Sequence, residues 1–116
     1  ASVCTGSLLL AAAGLLDGVE ATTHWAARDT LGQLGALPVA ERVVQRDRII
    51  TAAGVSAGID MALGLAAQLA GDQVARAIQL IIEYDPQPPY DSGSPEKAGE
   101  EIQRLVLSPA DEGERR

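Results

Sequence analysis

The chain has 116 residues and 47% apolar side chains, which is enough for one domain with a buried core. Its formal charge is −7, and no Lys/Arg cluster suggests a phosphate-binding surface, so we predict no nucleic-acid partner. One cysteine excludes an intramolecular disulfide, and one histidine leaves too few ligands for a metal site. This composition predicts a cytoplasmic protein. The apolar run at residues 7–16 is too short to span a membrane, so we predict no membrane partner.

The first part of the chain predicts alternating helices and strands. Residues 8–13 are a helix-forming run of Leu and Ala that ends at a glycine suited to a cap and turn. Residues 19–23 are short and rich in β-branched side chains, as a strand is, and residues 26–34 return to helical composition before Gly35. A helix is therefore expected just after Cys4, followed by a strand and a second helix.

The middle of the chain predicts a hairpin and two packed helices. Residues 42–45 and 49–51 are expected to form a hairpin or two strands joined by a short turn. The charges of Arg42, Arg46, Asp47 and Arg48 make this a turn of mixed sign, which indicates a solvated surface. Residues 54–70 and 74–82 carry apolar side chains at helical spacing on either side of a Gly-Asp break. The small residues at 54–58 fit no nucleotide-binding loop and instead indicate close helix packing.

The last part of the chain is rich in proline and then in charge. Prolines exclude regular structure across residues 84–95, and residues 96–107 predict a last short helix. We expect residues 1–107 to belong to one domain and residues 108–116 to form a polar tail.

Alternating strands and helices predict the α/β class, with helices covering a parallel sheet. Only about three strands are evident, and no strand-length segment precedes the expected turn at Cys4. The sequence therefore predicts an incomplete, C-terminal portion of a domain whose N-terminal half is missing.

Cys4 stands where a strand is expected to turn into a helix. In α/β folds, a nucleophile at such a turn is exposed at the carboxyl edge of the sheet, and the helix N-terminus favours the thiolate. The backbone N–H of Thr5 is then a candidate oxyanion donor. Taken alone, a single cysteine beside an apolar helix is more often a small buried hydrophobic residue.

Three further residues are candidates for a site. His24 is expected at the end of the next strand, near the same sheet edge, as a general base or as a pocket-wall or hydrogen-bonding residue. Trp25 is a candidate for lining a pocket, with simple packing as the alternative. Asp60 is expected near the start of a helix, where a structural carboxylate is favoured.

Four segments carry a resemblance to a known family. They are Ser-Val-Cys-Thr-Gly-Ser, Ala-Thr-Thr-His-Trp, Arg-Ile-Ile-Thr-Ala-Ala-Gly-Val-Ser-Ala-Gly-Ile-Asp and Gln-Leu-Ile-Ile-Glu-Tyr-Asp-Pro-Gln-Pro-Pro-Tyr-Asp-Ser-Gly-Ser-Pro. In this order they resemble the ThiJ/PfpI (class I glutamine amidotransferase-like) superfamily, and the last segment resembles the isonitrile hydratases. The resemblance implies a flavodoxin-like three-layer sandwich, a homodimer, and Cys4 as nucleophile with Thr5 beside it. It also implies an acidic partner from a loop after a first strand that this sequence does not contain.

The same resemblance implies a function. It is the cysteine-dependent hydration of an isonitrile, a small-molecule substrate, to an N-substituted formamide, a hydro-lyase reaction that needs no cofactor. We expect this activity in the intact parent protein rather than in these 116 residues alone. The alternatives are glyoxalase- or deglycase-like chemistry at the same turn, and a ligand-sensing domain of an AraC-type transcription regulator.

Overall fold

The computed structural model describes residues 1–108 and divides the chain into two units, residues 1–84 and the residues from 85 onward. The elements of the first unit are β1 (Ser2–Val3), α1 (Ser7–Ala12), β2 (Glu20–Ala21), α2 (Arg28–Gln33), β3 (Leu37–Pro38), β4 (Val43–Arg46), β5 (Ile49–Ala52), α3 (Val55–Ala70) and α4 (Asp72–Ile81). Short 3₁₀ helices at Cys4–Gly6 and Trp25–Ala27 precede α1 and α2. The second unit holds α5 (Pro95–Ala98) and α6 (Glu100–Leu107).

The strands form two small sheets. One has the order β1-β5-β4, in which β1 runs parallel to β5 with Ser2 opposite Thr51, and β4 runs antiparallel to β5. The other is the parallel pair β2-β3. The α/β class and the hairpin are therefore confirmed, but the larger sheet is mixed rather than parallel. The reason is the tight turn between β4 and β5, where Asp47 adopts a φ of 55°, a conformation that Asp tolerates better than most residues.

Helices pack on both faces of strand β5. Ile50 and Ala52 of β5 form a buried cluster with Ala57 and Met61 of α3. Ile49, the residue before Ile50, packs against a separate cluster of buried side chains, which are Ala11, Leu16, Ala21, Leu31 and Ala36. Successive side chains of a strand point to opposite faces, so the two clusters lie on opposite sides of the sheet. This arrangement agrees with the predicted sandwich of helices around a sheet.

The strand β2 is shorter than the sequence predicts. Residues 19–23 were expected to form it, but only Glu20–Ala21 pair with β3. The following two residues are fully buried and use side-chain bonds instead: Thr22 N–H donates to Thr51 Oγ1 at 2.9 Å, and the Thr23 hydroxyl donates to the Cys4 carbonyl at 2.9 Å. Hydrogen bonds of threonine hydroxyls thus replace the backbone pairing of a β-ladder at these two residues. β-propensity alone does not predict this replacement.

The close packing predicted around residues 54–58 occurs at Gly58. A methyl group on Gly58 would lie 2.6 Å from Cγ1 and 3.0 Å from Cγ2 of Val3, inside van der Waals contact. Helix α3 therefore approaches strand β1 at a point where only glycine fits without a shift of Val3. Val3 is the residue that immediately precedes Cys4.

The second unit departs from the sequence prediction in one respect. No regular element occupies residues 84–94, as the prolines predict, but the single helix expected over residues 96–107 is two helices. The break is Gly99, whose φ of 87° ends α5 and precedes α6. The Ser94 hydroxyl caps α5 by accepting from Lys97 N–H at 3.3 Å. The predicted polar tail is residues 108–116, and all of it after Ser108 lies outside the described residues.

Within residues 1–108, no helix is both long enough and apolar enough to cross a bilayer. The same residues bring together no group of three or more His, Cys, Asp or Glu side chains that could bind a metal ion.

Candidate active site

Cys4 lies at the turn between β1 and the 3₁₀ helix that leads into α1. Its φ is 58°, in the left-handed region that a non-glycine residue rarely adopts and that costs on the order of 1–3 kcal/mol. A sharp, strained strand-to-helix turn of this kind is the geometry that exposes a nucleophile at the edge of an α/β sheet. The thiol is free and partly buried. The helix after it, α1, spans Ser7–Ala12.

Two side chains hold the segment after β2 against this turn. The buried Thr23 hydroxyl donates to the Cys4 carbonyl oxygen at 2.9 Å, and Thr22 N–H donates to the buried Thr51 hydroxyl on β5. Thr51 also stands opposite Ser2 in the sheet. The β2 end, the Cys4 turn and the central strand are therefore joined by hydrogen bonds. Sequence analysis did not single out Thr23 or Thr51; their only signal was a place inside the motifs that carry the family resemblance.

His24 directly follows this threonine pair and caps the next 3₁₀ helix. Its Nδ1 accepts a hydrogen bond from Ala26 N–H at 3.2 Å. This contact gives His24 a hydrogen-bonding role, which is one of the alternatives expected for it. Trp25 stacks at an angle beside it, with 5.6 Å between ring centroids.

An apolar groove of about 480 Å³ lies between β1, α3 and α4. Its lining is Val3, Val55, Gly58, Ile59, Ala62, Leu63, Ala66, Ile78 and Ile82. Val3, the residue before Cys4, lines this groove, but none of the lining residues has a polar side chain that could orient a substrate. Neither His24 nor Trp25 lines it, so the expected pocket-lining role of Trp25 is not met in this groove.

Asp60 belongs to a separate polar cluster on the first turns of α3. It accepts hydrogen bonds from the Arg42 guanidinium and from the Tyr84 hydroxyl, the latter at 2.7 Å. Burial raises the pKa of Asp60, but the bonds from Tyr84 and Arg42 and the positive charge of Arg42 outweigh it, so the pKa lies below its ordinary value of 3.8. Asp60 is thus an ionised structural acceptor, as expected. Arg42, expected on a solvated turn, instead joins the hairpin to α3, although it remains more than half exposed.

This cluster predicts a specific dependence of stability on pH. Because the folded-state pKa of Asp60 is lowered, its contribution is present above pH 3.8 and is lost as the pH falls through the folded-state pKa. Asp60→Asn is expected to lower the free energy of unfolding at pH 7 by about 1 kcal/mol or less, since solvent screens the exposed Arg42. Urea unfolding of both proteins at pH 7 and at pH 2 to 3 measures the difference, which should shrink in acid.

The matched control is Glu20→Gln, which removes an exposed pair with Arg46 at 3.2 Å. Both side chains are about half exposed, so this change is expected to have little effect. A loss for Asp60→Asn that stays the same size at low pH would contradict the assignment. On the alkaline side, the hydrogen bond to Asp60 raises the pKa of Tyr84 above 10.0, so its contribution is lost only as the pH rises beyond that value.

Comparison with known proteins now places this arrangement in a family. A sequence profile described as the DJ-1/PfpI family matches residues 1–68, which include the Cys4 turn, the threonine pair and the start of α3. The chain belongs to the DJ-1/PfpI family. The flavodoxin-like fold that this family has was predicted from the four sequence segments and is confirmed.

Three known proteins are similar to this chain over more than half of its length. The chain is 58% identical over 97 residues to an isonitrile hydratase of Pseudomonas putida, covering 84% of this chain and 42% of that protein. It is 47% identical over 73 residues to the HTH-type transcriptional regulator CdhR of Pseudomonas aeruginosa, covering 61% of this chain and 22% of the regulator. A crystal structure of a ThiJ/PfpI family protein from Pseudomonas syringae superposes with a TM-score of 0.86 at 44% identity, covering 96% of this chain and 46% of that one. The chain therefore spans less than half the length of each of these three proteins.

Proposed function

We propose that the whole protein to which this chain belongs hydrates isonitriles to N-substituted formamides, with Cys4 as the nucleophile. The observation that carries the proposal is the 58% identity to a protein named isonitrile hydratase. The strained turn at Cys4 supports it, because a left-handed non-glycine residue at a strand-to-helix junction is typical of an exposed nucleophile. The reaction class is then that of a hydro-lyase acting on a small molecule.

The proposed reaction begins when the Cys4 thiolate attacks the terminal carbon of R–N≡C and forms a C–S bond. A proton delivered to that carbon gives the thioimidate R–N=CH–S–Cys4. Water then adds to the carbon while one of its protons reaches the nitrogen, which gives R–NH–CH(OH)–S–Cys4. The hydroxyl proton returns to the group that donated the first proton as the C–S bond breaks, which releases R–NH–CHO and regenerates the thiolate. Thr5 N–H is the proposed donor to the oxygen of the tetrahedral adduct.

This mechanism needs a proton donor, and the proposed donor is a carboxyl group that is protonated when the thiolate attacks. Asp60 does not suit this role, because Arg42 and Tyr84 occupy its oxygens and its pKa is lowered. We propose that the donor comes from the whole protein outside these 116 residues, as the family resemblance implies. Asp85 remains the alternative within the chain.

The direct test is an isonitrile assay on the whole protein, with a simple alkyl isonitrile as substrate. Proton NMR should show the formyl signal of the N-alkyl formamide growing as the isonitrile disappears. A parallel assay with a 2-oxoaldehyde tests the glyoxalase- or deglycase-like alternative. Formation of the corresponding 2-hydroxy acid, without any formamide from the isonitrile, would refute the proposed hydration.

A second candidate is ligand sensing in a transcription regulator, which the 47% identity to CdhR favours. The discriminating result is turnover, because a sensing domain binds its ligand without consuming it. We also propose that the protein works as a homodimer in the cytoplasm. The family resemblance supports the homodimer, and sedimentation velocity of the whole protein tests it. The single cysteine, used as a free thiol, supports a reducing compartment.

A further inference from the structure

The hydrogen bond from Thr23 to Cys4 has a geometric consequence at the candidate site. Thr23 is fully buried, and its hydroxyl donates to the Cys4 carbonyl oxygen at 2.9 Å. That oxygen belongs to the same peptide group as the N–H of Thr5. In a planar trans peptide the C=O and the N–H point in opposite directions. Fixing one therefore fixes the other.

The Thr5 N–H stands in the first turn of a helical segment. The 3₁₀ helix begins at Cys4, and the first N–H groups of a helix have no acceptor within it. Thr23 holds the opposite, buried end of the peptide group, while Thr5 itself is exposed. The buried hydrogen bond and the Thr5 N–H thus lie at opposite edges of one planar peptide group.

The neighbouring threonine provides an internal contrast. Thr22 is equally buried, but its hydroxyl has no hydrogen-bond partner among the described residues, and only its backbone N–H reaches Thr51. A hydroxyl at position 22 is therefore dispensable for the hydrogen-bond network, whereas the hydroxyl at position 23 contacts the turn directly. Burial of a threonine in this segment does not by itself account for the bond to Cys4.

We propose that Thr23 is a positioning residue that acts through the Cys4–Thr5 peptide group. Its hydroxyl keeps Cys4 at a φ of 58° and aims Thr5 N–H at the oxygen of the tetrahedral adduct. The inference rests on the proposed function for the identity of the adduct, but the conformational part concerns the Cys4 turn alone.

The test compares four variants with the unaltered protein. Thr23→Val removes the hydroxyl at nearly constant shape, Thr23→Ser keeps it, and Thr22→Val is the matched control one residue away. Thr23→Ala is a second hydroxyl-free variant, in case valine prevents folding. With an alkyl isonitrile, Thr23→Val should lower kcat about 10- to 100-fold and change KM less than about 3-fold. Thr23→Ser should restore kcat to within about 3-fold, and Thr22→Val should leave it unchanged.

A second readout does not depend on isonitrile chemistry. Alkylation of Cys4 by iodoacetamide can be followed on the whole protein as a function of pH, by mass spectrometry of the peptide that contains Cys4, the one cysteine of these 116 residues. The hydroxyl-free variants should react at least about 5-fold more slowly at neutral pH, with Thr23→Ser and Thr22→Val close to the original rate.

The two readouts separate the inference from the proposed function. If the protein does not hydrate isonitriles, the proposed function fails and alkylation alone decides the role of Thr23. Unchanged alkylation and kcat in folded Thr23→Val would overturn the inference, as would an equal loss in Thr22→Val. Failure of Thr23→Ser to restore either rate would also overturn it.

Discussion

Cys4→Ala is expected to reduce isonitrile hydration by the whole protein to background, a loss on the order of 10⁴-fold or more. The proposed mechanism begins with a C–S bond, and this chain offers no second thiol. Threonine and serine hydroxyls near the turn are poor nucleophiles without a base to activate them. The measurement is formamide production by NMR under saturating isonitrile, with the variant at high enough concentration to detect slow turnover.

Two controls establish that the loss is chemical. Cys4→Ser keeps nearly the same shape and should be as inactive as alanine, because a hydroxyl has little alkoxide character at neutral pH. Cys4→Gly should also be inactive, but its free energy of unfolding should be about 1 kcal/mol higher than that of the unaltered protein, because glycine adopts a φ of 58° without strain. A Cys4→Ala protein that keeps most of its turnover would rule out the covalent mechanism.

Gly58→Val is expected to be strongly destabilising, by about 3 kcal/mol or more, and Gly58→Ala by about 1–3 kcal/mol. Even a methyl group at this position would overlap Val3, at 2.6 Å from Cγ1 and 3.0 Å from Cγ2. Val3 is stiff at χ1 and lies in strand β1, so relief of the overlap must move the strand that ends at Cys4. Denaturant unfolding gives the change in stability, and alkylation of Cys4 reports whether the turn has shifted.

Helix α3 contains its own matched control. Gly64 lies in the same helix, and a methyl group there would meet no atom within 4 Å. Gly64→Ala should therefore raise stability by about 0.5–1 kcal/mol through helix propensity alone. Val3→Ala combined with Gly58→Ala should recover part of the stability that Gly58→Ala loses, because it removes the two clashing methyl groups. Additive losses in that double variant would show that the contact with Val3 is not the cause.

The sequence predicted the parts of the fold that depend on local periodicity. Helices α3 and α4 followed from apolar spacing, and the β4–β5 hairpin followed from two β-branched runs around a charged turn. The pairing of β1 with β5 could not be predicted this way, because it joins segments far apart in the chain. Strand β2 was overestimated because buried threonine side chains, rather than a ladder, bind the backbone there.

Much less of the candidate site could be predicted from local patterns in the sequence. Position and composition singled out Cys4, Thr5 and His24, but not the left-handed conformation of Cys4, which surrounding contacts impose against local preference. The role of Thr23 depends on a contact across 19 positions and leaves no periodic signal. The link from Arg42 to Asp60 likewise joins a hairpin to a helix, so a charge pattern alone suggested only a solvated turn.

The parallel pairing of β1 with β5 determines when the Cys4 turn can form during folding. The β4–β5 hairpin closes over a few residues, whereas β1 must find a partner about 50 residues further along the chain. Loop-closure entropy makes such distant contacts late events, so the hairpin should be in place before β1 docks on it. Cys4, as the residue after β1, reaches its strained backbone conformation only at that final step. A nascent or refolding chain would therefore lack the left-handed Cys4 turn until after the β4–β5 hairpin exists, and pulsed alkylation would record the docking of β1 as a late change in Cys4 reactivity.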